Sequence, residues 1–580
     1  MARVKHELRK FDALTNMTKS PMAKQLISPE TYPHNFMPPI GSEHLNAKIK
    51  DLPSLSGLNP SQKRVIVSVT RAVMGDPLEP SLSLVQGPPG TGKSSTITGL
   101  IMQVLYSRAG SPDSMPRVLV VAPSNAAVDE LARKLIILQK DIKEAGKMAS
   151  FRMVRLGIMK SVHPEVKDYT FDKMVEEMVD KDMRKDQMTA SLEKDLRTKQ
   201  DQVNQLANAQ QIAEKEGNSD LAAKLGRDVT DKIRQVNKIK AQLKNPQVDP
   251  RNQHQMRKLA EEKVMAGADV LLSTLSSSTS REVERLLMPG RQAGTSRQTG
   301  LIRPVSVCIM DEASQCVEPE ALIPLRLGFC KLVMVGDHEQ LAATVTSRVA
   351  KEKDYNQSLF NRLIHSFDSS PRNPVQRLDT QYRMHSAIAN WPARYFYGGR
   401  LENGSQNRES PLHPYTVLDL KSQESQDGGQ CCNEFEVNLV LKVLQEIRGV
   451  GSESGRLTSG VITFYAKQKQ QLALALQSAN LPPTEVLVNT VDGFQGGERD
   501  VIVISCVRAG TSHIGFLQEK ERLNVALTRA RFCLVVIGDM ETLERASQDL
   551  WGGLVSDARR RGRLHKVTPS SNLREFLFLS

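Results

Sequence analysis

A glycine-rich turn between a short apolar strand and a helical stretch constrains this chain more than any other segment. The strand is Ser83 to Gln86, and the helical stretch runs from Ser94 to Tyr106. The turn fits G-x-x-x-x-G-K-[ST], in which backbone N–H groups surround a phosphate and the helix adds its dipole. We therefore predict a nucleotide site in which Lys93 reaches the β- and γ-phosphates and Ser94 binds Mg²⁺. The predicted contact residues are Gly87, Pro88, Pro89, Gly90, Thr91, Gly92, Lys93, Ser94 and Ser95.

Short apolar strands alternate with helical stretches in two separate parts of the chain, which indicates an α/β fold with parallel sheets. The first series begins near Leu82 and the second near Pro371. The predicted strands after the glycine-rich turn are Val118 to Ala122, Val305 to Met310, Leu332 to Val335, Val461 to Phe464, Val501 to Ser505 and Cys533 to Ile537.

The alternation stops between about Lys167 and Lys263, in a charged, Gln-rich segment with almost no aromatic residues. Its apolar residues recur at helical spacing, and Gly217-Asn218-Ser219 is a plausible turn between two long helices. We interpret the segment as an antiparallel helical hairpin that is inserted into the first α/β region. A disordered, charged linker is the alternative.

Acidic residues follow two of the predicted strands of the first series. Asp311 and Glu312 come directly after the strand Val305 to Met310. A carboxylate at this position can hold the Mg²⁺ that Ser94 also binds, and its neighbour can act as general base toward water. Gln340 lies after the next strand, where it could sense the γ-phosphate. A solvated strand end is the alternative for the acidic pair, and a loop without a functional role is the alternative for Gln340.

Charge and cysteine content agree with a basic protein of a reducing compartment. The formal net charge is +13 and the pI is about 9.3, which suits a polyanionic partner without proving one. Seven cysteines include no Cys-x-x-Cys pair, so a zinc site is not expected. No apolar run approaches the roughly 20 residues that cross a bilayer, and we expect an intracellular protein without membrane contact.

Two arginines of the second series are candidates for contact with the γ-phosphate. Arg383 lies in Gln-Tyr-Arg-Met-His, and Arg529 lies in Asn-Val-Ala-Leu-Thr-Arg-Ala-Arg. Cations supplied by another domain would make hydrolysis depend on domain closure. Considered singly, each arginine is better explained as a surface or ion-pair residue, and its assignment rests on the resemblance described below.

The ordered set of motifs resembles superfamily 1 helicases of the up-frameshift and senataxin group, most closely the senataxin-like branch. The likeness extends from Leu58 to about Asp539. Besides the glycine-rich turn, the segments that carry it are Leu58-Asn-Pro-Ser-Gln62, Ala122-Pro-Ser-Asn-Ala-Ala-Val-Asp129, Asp311-Glu-Ala-Ser-Gln315, Gly336-Asp-His-Glu-Gln340, Leu378-Asp-Thr-Gln-Tyr-Arg-Met-His385, Val491-Asp-Gly-Phe-Gln-Gly-Gly-Glu498 and Asn524-Val-Ala-Leu-Thr-Arg-Ala-Arg531.

The resemblance implies two tandem RecA-like domains with ATP between them. The first would comprise residues 58–166 and 264–370, interrupted by the helical insertion 167–263, and the second residues 371–552. Residues 1–57 would be an extension or partial helical stalk, and residues 553–580 a basic tail. Family members usually carry a small β-barrel upstream of the first domain, which residues 1–57 are too short to hold.

The resemblance also assigns roles to individual residues. Gln62 would contact the adenine edge, Tyr382 would stack on its ring, and Glu498 would contact the ribose. Gln315 and Gln340 would link the γ-phosphate to strand binding, with Arg383 and Arg529 as arginine fingers. The implied strand contacts are Pro123, Ser124, Asn125, Ser273, Thr274 and Thr490.

We therefore expect an ATP- and Mg²⁺-dependent helicase that moves 5′ to 3′ on single-stranded RNA or DNA. It would unwind duplexes or RNA–DNA hybrids, or displace bound complexes, in transcription termination or RNA processing. The resemblance implies a nuclear monomer, with the cytoplasm as a further location and transcription or RNA-processing proteins as partners. The alternative is a nucleic-acid-binding scaffold with weak ATPase activity, because the accessory barrel is absent.

Overall fold

A computed structural model describes residues 2–31, 57–107, 116–144, 151–242, 253–287, 303–368, 373–404, 410–427, 430–452, 455–568 and 570–579. Residues 1 and 32–56 of the predicted extension 1–57 lie outside these residues, as does the predicted boundary at 370/371. The chain divides into two compact units. Unit 1 comprises residues 1–151, 269–294 and 304–580, and unit 2 comprises residues 152–268 and 295–303.

The helices and strands of both units are numbered along the chain. The helices are α1 (Ala2–Thr15), α2 (Ala23–Ile27), α3 (Pro60–Val73), α4 (Lys93–Ser107), α5 (Asn125–Glu144), α6 (Phe171–Lys215), α7 (Ser219–Gln242), α8 (Gln253–Ala266), α9 (Arg281–Leu287), α10 (Glu318–Ala321), α11 (Arg348–Lys351), α12 (Leu359–His365), α13 (Ser386–Tyr395), α14 (Glu434–Ile447), α15 (Ala466–Ser478), α16 (Lys520–Leu527), α17 (Met540–Ala546), α18 (Leu550–Arg560) and α19 (Arg574–Leu577). The strands are β1 (Ser81–Gln86), β2 (Val118–Ala122), β3 (Met153–Arg155), β4 (Val270–Thr274), β5 (Val307–Met310), β6 (Lys331–Gly336), β7 (Gln376–Arg377), β8 (Thr380–Gln381), β9 (Glu402–Asn403), β10 (Tyr415–Leu420), β11 (Ser425–Asp427), β12 (Gln430–Cys432), β13 (Gly451–Ser452), β14 (Gly455–Arg456), β15 (Ser459–Thr463), β16 (Val486–Thr490), β17 (Arg499–Ser505), β18 (Ala530–Gly538) and β19 (Leu564–Val567).

Unit 1 contains two parallel sheets, which confirms the predicted α/β class. In the first sheet the strands of this unit pair in the order β4-β2-β5-β6-β1-β7. In the second sheet the order is β16-β15-β17-β18-β10-β19. Central strands such as β2 and β6 are buried along their whole length, as their continuous apolar runs predict. Parallel strands place their carboxyl ends at one edge, where ligands of such sheets bind.

Unit 2 contains two long helices at the position of the predicted hairpin. Helices α6 and α7 are joined by a short turn at Gly217, whose φ is +78°. Lys199 bonds Gln235 at 2.6 Å, and Lys232 bonds Gln202 at 2.7 Å, so the two helices run antiparallel. The predicted end of the second helix at Pro246 and Pro250 lies outside the described residues.

The prediction of a basic tail over residues 553–580 is wrong. Strand β19 pairs in parallel with β10 and so belongs to the second sheet, and helix α18 precedes it in the chain. The buried Asp557 forms ion pairs with Arg394, Arg560 and Arg561, which accounts for much of the basic cluster. The sequence of β19 is half polar and shows no apolar strand pattern. The segment is a strand because it pairs with β10, which the local sequence does not indicate.

The carboxyl end of β17 lies over a buried acid. Glu436 accepts hydrogen bonds from the Ser505 hydroxyl at 2.6 Å and from the Val507 N–H at 2.9 Å. Val507 has a φ of +74°, a strained conformation for a β-branched residue. Burial raises the pKa of Glu436 to about 7, although these hydrogen bonds oppose the shift.

The raised pKa of Glu436 predicts a pH-dependent stability. The folded state keeps a proton between the ordinary carboxyl pKa and pH 7, whereas the unfolded state loses it, so stability falls as pH rises through this window. The slope from this group is at most about 1.4 kcal/mol per pH unit. Urea unfolding at pH 5 to 8 should show wild type losing stability relative to Glu436→Gln, which remains neutral. A constant difference between the two proteins would contradict the assignment.

Candidate functional site

The glycine-rich turn follows β1 and leads into α4 in the first sheet. Gly90 and Gly92 have φ values of +75° and +77°, which glycine adopts without strain. A Cβ added at Gly92 would lie 2.4 Å from Nε2 of Gln62, so a side chain there would collide with α3. The Lys93 ammonium donates to the Gly87 carbonyl at 3.0 Å and lies 3.9 Å from Glu312 Oε1. The turn therefore has the geometry of a phosphate loop, with its lysine beside the acidic strand end.

The acidic strand end lies directly after β5. Glu312 has a left-handed backbone, with φ of 49° and ψ of 41°, and its carboxylate accepts from Gln315 Nε2 at 2.6 Å. Such strain in a non-glycine residue is often found at functional sites. Burial, together with the neighbouring Glu312, raises the pKa of Asp311 to about 7, while Lys93 opposes the shift. The edge thus combines a buried carboxyl with a second, more accessible one.

Ser94 and Asp311 fit the demands of a magnesium ion. Both supply hard oxygen atoms, and a divalent cation would offset the buried negative charge that raises the pKa of Asp311. Within the described ranges, no cluster of three or more His, Cys, Asp or Glu residues could hold a metal. Phosphate oxygens and water would therefore complete the coordination, as is usual for nucleotide-bound Mg²⁺. The Ser94 hydroxyl lies 3.2 Å from Glu130 Oε1, a neighbour that the sequence did not single out.

The predicted adenine contacts are adjacent to each other on the other side of the turn. Gln62 closes a capping box with Asn59 at the start of α3 and donates to the Thr91 carbonyl at 3.0 Å. Tyr382 is 46% exposed, its N–H donates to the Gly90 carbonyl at 2.8 Å, and its hydroxyl accepts from Asn59. An exposed aromatic ring held by its backbone against the phosphate loop is available for stacking on a base.

Glu498 lies between two arginines of the second α/β region. Its carboxylate accepts from Arg383 Nε at 2.6 Å and from Arg531 Nε at 2.9 Å, and Arg383 also donates to the Thr528 carbonyl. Burial favours the neutral acid, but Arg383 and Arg531 hold the pKa of Glu498 below its ordinary value. The structure thus places Glu498 against the predicted arginine finger Arg383.

Arg529 is buried and bonds a residue of the loop that follows β6 of the first sheet. Its guanidinium donates to Gln340 Oε1 at 2.9 Å and to the Val525 carbonyl at 2.9 Å. Burial, with the nearby charge of Arg383, lowers the pKa of Arg529 to about 9, so it remains a cation at neutral pH. Two of the predicted γ-phosphate contacts are therefore in direct contact with each other.

The predicted strand contacts lie at strand ends of both sheets. Pro123, Ser124 and Asn125 follow β2, and Ser273 and Thr274 end β4, which pairs with β2 up to Ala122 and Thr274. Thr490 ends β16 in the second sheet, and its hydroxyl accepts from the Gly493 N–H at 3.3 Å. The first five residues are thus brought together, while Thr490 lies in the other sheet.

Four buried or half-buried residues join this site without having been predicted as members. Asp337 and Tyr397 share a hydrogen bond, Asn524 donates to Tyr397, and Arg531 bonds Glu498. Asn524 begins and Arg531 ends one of the motifs, and Asp337 lies inside the motif Gly336 to Gln340. Their positions within these motifs are the signal by which the sequence could have identified them. Tyr397 lies outside every motif.

Two family models, each described as an AAA domain, match residues 57–348 and 355–541. Their matches include every predicted nucleotide and strand contact. No helix in the described ranges is long and apolar enough to cross a membrane.

Three curated proteins illustrate the similarity. "Probable helicase senataxin" of Mus musculus is 32% identical over 559 residues, covering 91% of this chain and 20% of that protein. "Helicase sen1" of Schizosaccharomyces pombe is 34% identical over 523 residues, covering 83% of this chain and 29% of that protein. "Regulator of nonsense transcripts 1 homolog" of Drosophila melanogaster is 30% identical over 526 residues, covering 88% of this chain and 36% of that protein. The chain thus spans between about a fifth and about a third of the length of these relatives.

Proposed function

The chain belongs to the AAA-domain helicase family, with senataxin-like and nonsense-transcript-regulator-like relatives, and we propose that it is an ATP-driven translocase on single-stranded nucleic acid. The observation that carries this proposal is the 2.9 Å bond between Arg529, beside the second sheet, and Gln340, beside the first. It lies next to a phosphate loop whose lysine is 3.9 Å from Glu312. Such contacts allow the terminal phosphate of ATP to control how the two sheets pack together.

ATP hydrolysis would take place between the phosphate loop and the strand ends of the first sheet. Water attacks the γ-phosphorus, the bond to the β–γ bridging oxygen breaks, and the products are ADP and phosphate. Glu312 would take the proton of the attacking water, and Lys93 would stabilise charge on the phosphates. Mg²⁺, held by Ser94 and Asp311, would neutralise part of that charge.

Arg383 would complete the site only when ATP is bound. Arg383 forms an ion pair with Glu498. When ATP is bound, the γ-phosphate would compete with Glu498 for Arg383, and the ribose would compete with Arg383 for Glu498. Arg529 already contacts the loop that follows β6 of the first sheet, through its hydrogen bond to Gln340. Cations that reach the phosphate from the second α/β region would tie each round of hydrolysis to a change in packing between the sheets.

The nucleic-acid strand would pass over the strand ends at Ser124, Thr274 and Thr490. Hydroxyl and amide groups of this kind bond phosphate and sugar, so we expect binding that is independent of base sequence. The net charge of +13 supports binding that weakens with salt. By analogy with the relatives, we propose movement 5′ to 3′ on RNA or DNA, removal of hybrids or bound complexes, and a nuclear role in transcription termination or RNA processing.

Displacement of streptavidin from biotinylated single strands tests translocation and its direction. A 5′-to-3′ motor with ATP should release streptavidin from a 3′-biotin much faster than from a 5′-biotin. Lys93→Ala should release it from neither end. Equal, ATP-independent release would support the alternative of a binding scaffold and contradict the motor.

A further inference from the structure

Five buried polar side chains form one continuous hydrogen-bonded chain between the two α/β regions. Asp337 and Gln340 follow β6, Tyr397 follows α13, and Asn524 and Arg529 lie on or directly after α16. Asn524 Nδ2 donates to the Tyr397 hydroxyl at 2.8 Å, and that hydroxyl donates to Asp337 Oδ2 at 2.7 Å. Gln340 Nε2 donates to the same Asp337 oxygen at 2.7 Å, and Arg529 donates to Gln340 Oε1 at 2.9 Å.

Water cannot easily replace any member of this chain, because all five side chains are buried. Burial raises the pKa of Tyr397 well above its ordinary value, so its hydroxyl stays protonated and remains the donor to Asp337. A buried polar group that loses its partner retains the full desolvation cost. The chain is therefore sensitive to the loss of a single hydroxyl.

The chain fixes both atoms of the Gln340 amide. Its oxygen faces Arg529 and its nitrogen faces Asp337, so the amide cannot rotate without losing two bonds. Asp337 in turn depends on Tyr397 as its second side-chain donor. Asn524 also donates to the Glu339 carbonyl at 2.7 Å, which holds the backbone of the loop between Asp337 and Gln340.

We propose that Tyr397 and Asn524 are positioning residues that orient Gln340 toward the terminal phosphate of ATP. Through Gln340 they would couple the presence of that phosphate to the packing between the two sheets. The inference rests on the proposed function, because it assumes that Gln340 faces that phosphate. Among the described residues, neither side chain hydrogen-bonds to the phosphate loop; each acts through Asp337 or the backbone of Glu339. Their loss lowers the rate of the strand-stimulated chemical step and leaves nucleotide affinity unchanged.

Tyr397→Phe tests this role, because it removes one hydroxyl and keeps the ring. We expect kcat for strand-stimulated ATP hydrolysis to fall about 10- to 100-fold, from the loss of one buried hydrogen-bonding group. KM for ATP and the affinity and stoichiometry of a fluorescent ADP should stay within about twofold of wild type. Tyr395→Phe is the matched control, since its hydroxyl also donates to a carboxylate, Asp549 at 2.6 Å, at an exposed site.

Asn524→Ala provides an independent variant if Tyr397→Phe does not fold. The double variant should be less impaired than the product of the two single effects, because both residues hold the same loop between Asp337 and Gln340. Wild-type kcat in Tyr397→Phe, or a fall in kcat matched by an equal fall in ADP stoichiometry, would overturn the inference. Neither result would contradict the proposed function, because the wild-type protein would still show strand-stimulated hydrolysis. A wild-type protein without strand-stimulated hydrolysis would instead overturn the proposed function, and the inference with it.

Discussion

Replacing Lys93 by alanine should reduce ATP turnover by about 10³-fold or more, because it removes the cation nearest to the β- and γ-phosphates. In the structure the Lys93 ammonium is held between the Gly87 carbonyl and Glu312, at 3.0 and 3.9 Å. The phosphates of bound ATP would replace the Gly87 carbonyl and Glu312 as partners of this ammonium. Steady-state phosphate release with saturating single strand measures the effect.

Lys421→Ala is the matched control for this change. Lys421 is also a lysine in an ion pair, with Glu541 at 3.0 Å, but both side chains are exposed. Surface pairs of this kind contribute little to stability, so its turnover should equal that of wild type. Wild-type turnover in Lys93→Ala would refute the phosphate-loop assignment and, with it, the nucleotide site.

Glu312→Gln should bind ATP with nearly normal affinity but hydrolyse it about 10²- to 10⁴-fold more slowly. Glutamine preserves the shape of the side chain but cannot accept a proton from the attacking water. The amide would also no longer attract Lys93, which stays available to the phosphates. Fluorescent-nucleotide binding and single-turnover hydrolysis separate the two effects.

Glu352→Gln is the control for the glutamate change, since Glu352 pairs with Arg348 on an exposed helix. It should hydrolyse ATP at the wild-type rate. Loss of nucleotide binding in Glu312→Gln would mean that this side chain holds the site together. Unchanged turnover would show that another group accepts the proton.

Local patterns predicted the elements whose sequence carries its own signal. The glycine-rich motif indicates a phosphate site only when a strand precedes it and a helix follows it, and β1 and α4 meet that condition. Strands β5 and β6 were predicted from their apolar runs. Strand β19 carried no such signal, because Leu564–Val567 is half polar and becomes a strand only by pairing with β10, some 150 residues earlier. Long-range pairing of this kind cannot be inferred from a window of sequence.

The candidate site divides in the same way. The phosphate loop and the acidic strand end follow from short motifs, and their assigned roles remain predictions. The pairing of Glu498 with Arg383 and Arg531, and the chain through Tyr397, depend on contacts between side chains distant in sequence. Periodicity and spacing carry no information about such contacts, so the structure is needed to find them.

ATP hydrolysis by the purified chain, alone, with single-stranded RNA and with single-stranded DNA, tests the central claim most directly. We predict that at least one strand raises turnover about tenfold or more, because a strand bound across both sheets would favour the packing in which Arg383 leaves Glu498 and reaches the phosphate. Comparison of RNA with DNA then indicates the preferred track. Turnover that no strand changes, or that does not exceed that of Lys93→Ala, would contradict the account of a strand-coupled motor.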